Sequence, residues 1–158
     1  ILRKNYSDSE SITIHEAAAS KSDGEAVLYC QNWGARTGSS LIPNKVPFGN
    51  RHMGNHAKDS CNVKTIDLAK WLKDSIKEDE IVVLKIDIEG AEYDVIPHLF
   101  KNNIHNLVEY WLVEFHRFKT PNCNDAIEKE TRNKVKVLAD WSDLSTAEAD
   151  LKECGLIR

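Results

Sequence analysis

Two short runs in this sequence end in residues that could do chemistry. One is Lys85-Ile86-Asp87-Ile88-Glu89-Gly90, and the other is Val113-Glu114-Phe115-His116. Side chains alternate faces along a strand, so Asp87 and Glu89 would share one face, and Glu114 and His116 another. If the two strands are neighbours with matching pleats, three carboxylates and an imidazole converge on one crevice. Gathering like charges there is costly unless a cation, a proton or a substrate compensates. Proteins tolerate that arrangement mostly at functional sites.

The remaining polar residues read more plainly. Glu92 and Asp94 follow Gly90 and would fall in the first turn of a helix, where acids suit the positive end of its dipole. His15, His52, His56, His98 and His105 carry no partner pattern and read as surface or satisfied histidines. Trp71, Trp111 and Trp141 fit packing roles. Trp33 lies in a loop from which it could stack on a ligand.

The elements that must position these residues alternate in type. Ser11 to His15 is alternating and β-branched, which predicts a short strand. Glu25 to Cys30 predicts a second. Residues 31–60 are rich in Gly, Asn, Ser, Pro and His without a period, and read as a long functional loop insert. Val63-Lys64-Thr65-Ile66 predicts a strand, with Asp67 as N-cap of a helix whose apolar positions are Leu68, Trp71, Leu72 and Ile76. Ile81 to Ile88 opens as a continuous apolar run, as expected of a parallel strand covered on both faces. The helix after Gly90 should kink or restart at Pro97. Leu107 to His116 predicts a strand with Trp111, Val113 and Phe115 on one face. Ala126 to Ala139 and Thr146 to Cys154 predict helices, with Gly155 as a C-cap before a strand opening at Leu156. The pattern is that of an α/β domain with a mainly parallel sheet, in which ligands bind beyond the carboxyl ends of the strands.

Composition narrows the class. The 158 residues are enough for one domain with its own core. A net charge of −4, with Lys and Arg scattered, argues against a nucleic-acid partner. The longest central apolar run is far too short for a membrane span. Cys30, Cys61, Cys123 and Cys154 show no Cys-x-x-Cys spacing, which argues against zinc. They leave open a cytoplasmic protein with reduced thiols, or a secretory-pathway protein with one or two disulfides.

The string Val83-Leu84-Lys85-Ile86-Asp87-Ile88-Glu89-Gly90-Ala91-Glu92-Tyr93 resembles the central motif of the FkbM-type methyltransferases. Its flanks are similar too: Thr13 to Ala26, Gly38-Ser39-Ser40-Leu41, Val63 to Leu68 and Val113-Glu114-Phe115-His116, in that order. The resemblance implies a class I, Rossmann-like fold and methyl transfer from S-adenosylmethionine to a hydroxyl on a small molecule or glycan. It implies that Asp87 lies beside the cofactor, that Ala17 and Ala18 lie near its adenine side, and that Ser39 and Ser40 edge the acceptor pocket. His116 becomes the first choice of general base, with an unperturbed pKa of about 6.5. Asp87 or Glu89 could instead hold a divalent cation that acidifies the hydroxyl.

The sequence also departs from that family's pattern. No Gly-rich cofactor loop precedes Ser11, and no second-strand acid for the ribose is present. The expectation is one partial methyltransferase domain over residues 1–158, lacking the first two strands and the terminal hairpin, with a gap between the Thr13 strand and the Ile86 strand. Two other readings stand beside it. One is a noncatalytic α/β interaction domain that has lost its cofactor site. The other is a metal-dependent hydrolase built on Asp87, Glu89, Glu114 and His116.

Overall fold

The computed structural model describes residues 2–6, 9–30, 38–43, 60–117, 120, 123–135, 137–140 and 152. Trp33, His52, His56, Trp141, most of the 31–60 insert, the predicted helix after Thr146 apart from Lys152, and the strand after it lie outside the described residues.

Among the described residues, six strands and four α-helices make up an α/β arrangement. In order they are α1 (Leu2–Asn5), β1 (Ala18–Ser20), β2 (Gly24–Tyr29), β3 (Ser60–Asp67), α2 (Leu68–Ser75), β4 (Val83–Ile86), α3 (Glu92–Lys101), β5 (Tyr110–Val113), α4 (Asp125–Lys134) and β6 (Val137–Asp140). The strands form two three-stranded sheets, ordered β1-β3-β2 and β4-β5-β6. Among the described strand pairs, β2–β3 is antiparallel and β1–β3, β4–β5 and β5–β6 are parallel. No described strand joins the two sheets.

Several expectations shift. The first strand is Ala18–Ser20, not Ser11 to His15, because residues 18–20 are the ones that pair with Thr65 to Asp67. The β-branched run before it does not pair, and most of it is exposed. The apolar Ile81 run is not covered on both faces. Only Val83–Ile86 pairs, at a sheet edge, and Ile81 is 72% exposed. Conversely, Trp111, Leu112 and Val113 of β5 are all buried, as suits a central strand covered on both faces. The predicted Ala126 to Ala139 helix ends at Lys134. Val137–Asp140 adds to β5 as a parallel strand instead, where backbone pairing outweighs the helical pattern. Helix α3 runs through Pro97 without restarting. Ile76 is the C-cap of α2 in extended backbone rather than a helical residue.

Apolar side chains of α2, α3, β4 and β5 form the core. Leu68 and Leu72 of α2, Val95, Ile96 and Leu99 of α3, and Val113 of β5 are buried together. This packing fixes the start of α3 against the carboxyl ends of β4 and β5. Three of the other histidines touch nearby side chains: the exposed His15 meets Trp71 edge-on, His105 stacks on Phe100, and His98 bonds Asp67.

Asp67 links three elements. Its Oδ1 accepts from the Ala69 and Lys70 backbone N–H groups, capping α2 as predicted, and lies 2.8 Å from His98 Nε2 of α3. Burial pushes the Asp67 carboxyl up, but the His98 ring and the two amides outweigh it and hold the group below its usual range. A carboxyl depressed in the folded state stabilises the fold above its unfolded pKa of about 3.9 and loses that effect as pH falls through the folded value. Asp67→Ala is therefore expected to cost about 1–2 kcal/mol at pH 7 in urea unfolding. The difference from wild type should shrink as the pH falls below about 4.

Candidate active site

The site is built on the turn that joins β4 to α3. After Ile86 the chain leaves the ladder, yet it stays tied to β5 through the Glu114 N–H, which donates to the Ile86 carbonyl at 2.9 Å. Glu89 and Gly90 then take positive φ values of +55° and +110°. Such a conformation costs a non-glycine residue on the order of 1 kcal/mol, so the surroundings must hold Glu89 in place.

Glu92 is what holds it. Its side chain, 0% exposed, folds back over the turn it follows. Oε1 accepts from the Ile88 N–H at 3.0 Å, and Oε2 from the Gly90 N–H at 2.8 Å. From outside the turn, the buried Ser40 hydroxyl donates to the Glu89 carbonyl at 2.7 Å. Gly90 is required twice over. Its φ disfavours any side chain, and a Cβ there would sit 2.7 Å from Thr120 Oγ1. That same Thr120 hydroxyl donates to the His116 carbonyl at 3.0 Å, so the β4–α3 turn is seated on the segment that carries the histidine.

His116 is buried against the same carboxylate. Nδ1 lies 2.9 Å from Glu92 Oε1. Both Glu92 oxygens already accept backbone N–H bonds, so the carboxylate serves as acceptor and Nδ1 as donor. Holding Nδ1 there turns Nε2 toward three more carboxylates. Glu114 Oε1 lies at 3.2 Å, Glu89 Oε2 at 3.8 Å and Asp87 Oδ1 at 3.9 Å. The expected convergence is present, but for a different reason. Asp87, Glu89, Glu114 and His116 all lie beyond the last paired residues of their strands, so the turn and the buried Glu92 aim them, not strand alternation. Burial grades outward from His116 at 4% exposure, with side-chain exposures of 15% for Glu89, 31% for Glu114 and 35% for Asp87. Lys85 Nζ bonds Asp87 Oδ2 at 3.2 Å on the open side.

Behind the site, Phe115 packs on Tyr93 and lies under the Arg132 guanidinium at 4.1 Å. Burial, with Glu128 and Cys123 nearby, pushes the Tyr93 hydroxyl well above its ordinary range. Burial and Glu128 likewise raise the Cys123 thiol. Both therefore stay protonated at neutral pH, and neither is an activated nucleophile.

The other expected site residues are placed elsewhere. Ala17 and Ala18 line an open cleft of about 620 Å3 with Arg3, Ile14, His15, Glu16, Leu28 and Val63. None of these belongs to the carboxylate cluster. Ser40 donates to the Glu89 carbonyl and accepts from the Ile42 N–H, so its hydroxyl supports the turn. Ser39 is half-buried beside it. The residue that sequence reasoning missed is Glu92, whose place in a first helical turn reads as a dipole partner. The available signal was the close spacing of Glu92 to Gly90, which allows a side chain to reach back onto the turn's amides.

The family model of the Methyltransferase FkbM domain matches residues 3–146. The chain belongs to the FkbM methyltransferase family. No curated protein and no solved structure gives a match. Among the described residues, no helix is long and apolar enough to cross a membrane.

Glu92→Gln keeps the shape of the side chain while removing its charge and one of its acceptor oxygens, leaving a buried N–H without a partner. A loss of about 3 kcal/mol in chemical denaturation is expected. A loss below 1 kcal/mol would show that the turn stands without this carboxylate.

Proposed function

We propose that this FkbM domain is a Rossmann-like, S-adenosylmethionine-dependent methyltransferase that methylates a hydroxyl on a small molecule or glycan. The observation that carries this reading is the His116 ring, clamped at Nδ1 by Glu92 with Nε2 facing Asp87, Glu89 and Glu114. S-adenosylmethionine supplies the methyl group as a positively charged sulfonium. The chain's own work is to bind, orient and move a proton. The Ala17–Ala18 cleft has the size and the small apolar walls suited to a nucleoside's base. The carboxylates favour positive charge in the crevice. His116 accepts the hydroxyl proton at Nε2 as the acceptor oxygen attacks. Glu92, bonded to Nδ1, stabilises the imidazolium that results and keeps the ring from turning. Because methyl transfer is an in-line displacement, this fixed orientation is as important as the basicity.

A second reading of the same cluster rests on its ligand geometry. Asp87, Glu89 and His116 each offer an atom within 4.8 Å of the others, a set that fits one divalent cation of the oxygen-and-nitrogen-binding kind. These three residues would hold it, and bound there it would lower the pKa of an acceptor hydroxyl. The two readings differ in whether Nε2 carries a proton or a ligand bond.

The test is methyl transfer from labelled S-adenosylmethionine by the protein that carries this chain. Under the proton reading, His116→Asn lowers kcat by about 10²–10⁴-fold and chelators have no effect. Under the cation reading, chelation abolishes turnover and Mg2+ or Mn2+ restores it. Unchanged turnover in Asp87→Ala would sink the assignment of the site.

A further inference from the structure

The ends of the 31–60 excursion carry a pair of thiols that the methyl-transfer site does not use. Cys30 follows the last paired residue of β2, and Cys61 is the second residue of β3. Their sulfurs lie 3.8 Å apart. Register explains the proximity. Leu28 pairs with Cys61, and Cys30 is two residues beyond Leu28, so the cysteines are diagonal neighbours on one face of an antiparallel pair. A disulfide requires sulfurs at about 2.05 Å. Cys30 lies past the paired ladder, so its backbone and side chain can make that adjustment without breaking a strand pair. Cys61 is exposed and Cys30 half-buried, which gives an outside reagent access to Cys61 first.

We propose that Cys30 and Cys61 form a reversible disulfide by exchange with a low-molecular-weight disulfide such as oxidised glutathione. The Cys61 thiolate attacks one glutathione sulfur, the glutathione S–S bond breaks, and one glutathione thiolate leaves. The Cys30 thiolate then attacks the Cys61 sulfur, forms the protein disulfide and expels the second glutathione thiolate. The two cysteines are oxidised, one glutathione disulfide is reduced to two thiols, and the protons given up by the cysteines pass to the leaving thiolates.

The bond would staple β2 to β3 at the mouth of the excursion. It would also act on the candidate active site through backbone hydrogen bonds. Tyr29, next to Cys30, exchanges two of them with Ser40, at 2.9 and 3.1 Å, and the Ser40 hydroxyl holds the Glu89 carbonyl. The crosslink thus fixes the strand end on which Ser40 hangs. The inference does not depend on the methyl-transfer reading.

The test equilibrates the protein with excess oxidised glutathione, then alkylates and maps peptides without reduction. A Cys30–Cys61 linked peptide is expected, lighter by two hydrogens and reversed by dithiothreitol. In a Cys123→Ser, Cys154→Ser background, oxidation should raise Tm by about 5–10 °C, as closing a loop of this length implies. The Ser40 amide should exchange more slowly in the oxidised form. If both thiols remain alkylatable, if glutathione stays on Cys61, or if either cysteine is found linked to Cys123 or Cys154, the proposal is overturned.

Discussion

One buried carboxylate organises the candidate active site. Glu92 satisfies two amides of the β4–α3 turn with one oxygen each, and with the oxygen that takes the Ile88 amide it also holds the His116 ring. A fully buried carboxylate is costly without such partners. The bonds that make Glu92 tolerable are therefore the same bonds that fix Glu89 at positive φ and His116 in its orientation. Turn, histidine and helix start form one unit, and a change to any of them is felt by the others.

That unit explains how a crowded set of charges can exist at rest. Asp87, Glu89 and Glu114 gather around Nε2 at 3.2–3.9 Å because each is delivered by backbone that is fixed elsewhere. Glu114 hangs from β5 through its amide bond to Ile86. Glu89 is pinned by Ser40 and by the amides around it, and Asp87 leads directly out of β4. The result favours positive charge in the crevice, such as a divalent ion or a sulfonium.

Much of this was legible in the residues and some was not. Asp87, Glu89, Glu114 and His116 could be read because acids at the ends of apolar runs are unusual, and the Asp67 cap because its side chain and the run after it obey a local rule. The reason for their convergence was hidden. Strand alternation stops at Ile86 and Val113, and the work passes to a turn whose geometry depends on long-range contacts with Ser40 and Thr120. Glu92 was invisible for a related reason, since an acid in a first helical turn looks the same whether it faces water or a buried histidine. The errors at β1 and β6 have one origin. Three or four residues without strong periodicity take their structure from the strand they pair with, Thr65 to Asp67 in one case and Trp111 to Val113 in the other. The exposed Ile81 shows the converse, an apolar run that lies outside the paired strand.

The clearest single check is on the His116 ring itself. Long-range 1H–15N correlation in protein labelled at histidine reports which ring nitrogen carries a proton. The account predicts that His116 Nδ1 is protonated at neutral pH, with a slowly exchanging proton directed at Glu92. An unprotonated Nδ1, with the ring proton on Nε2 alone, would contradict it.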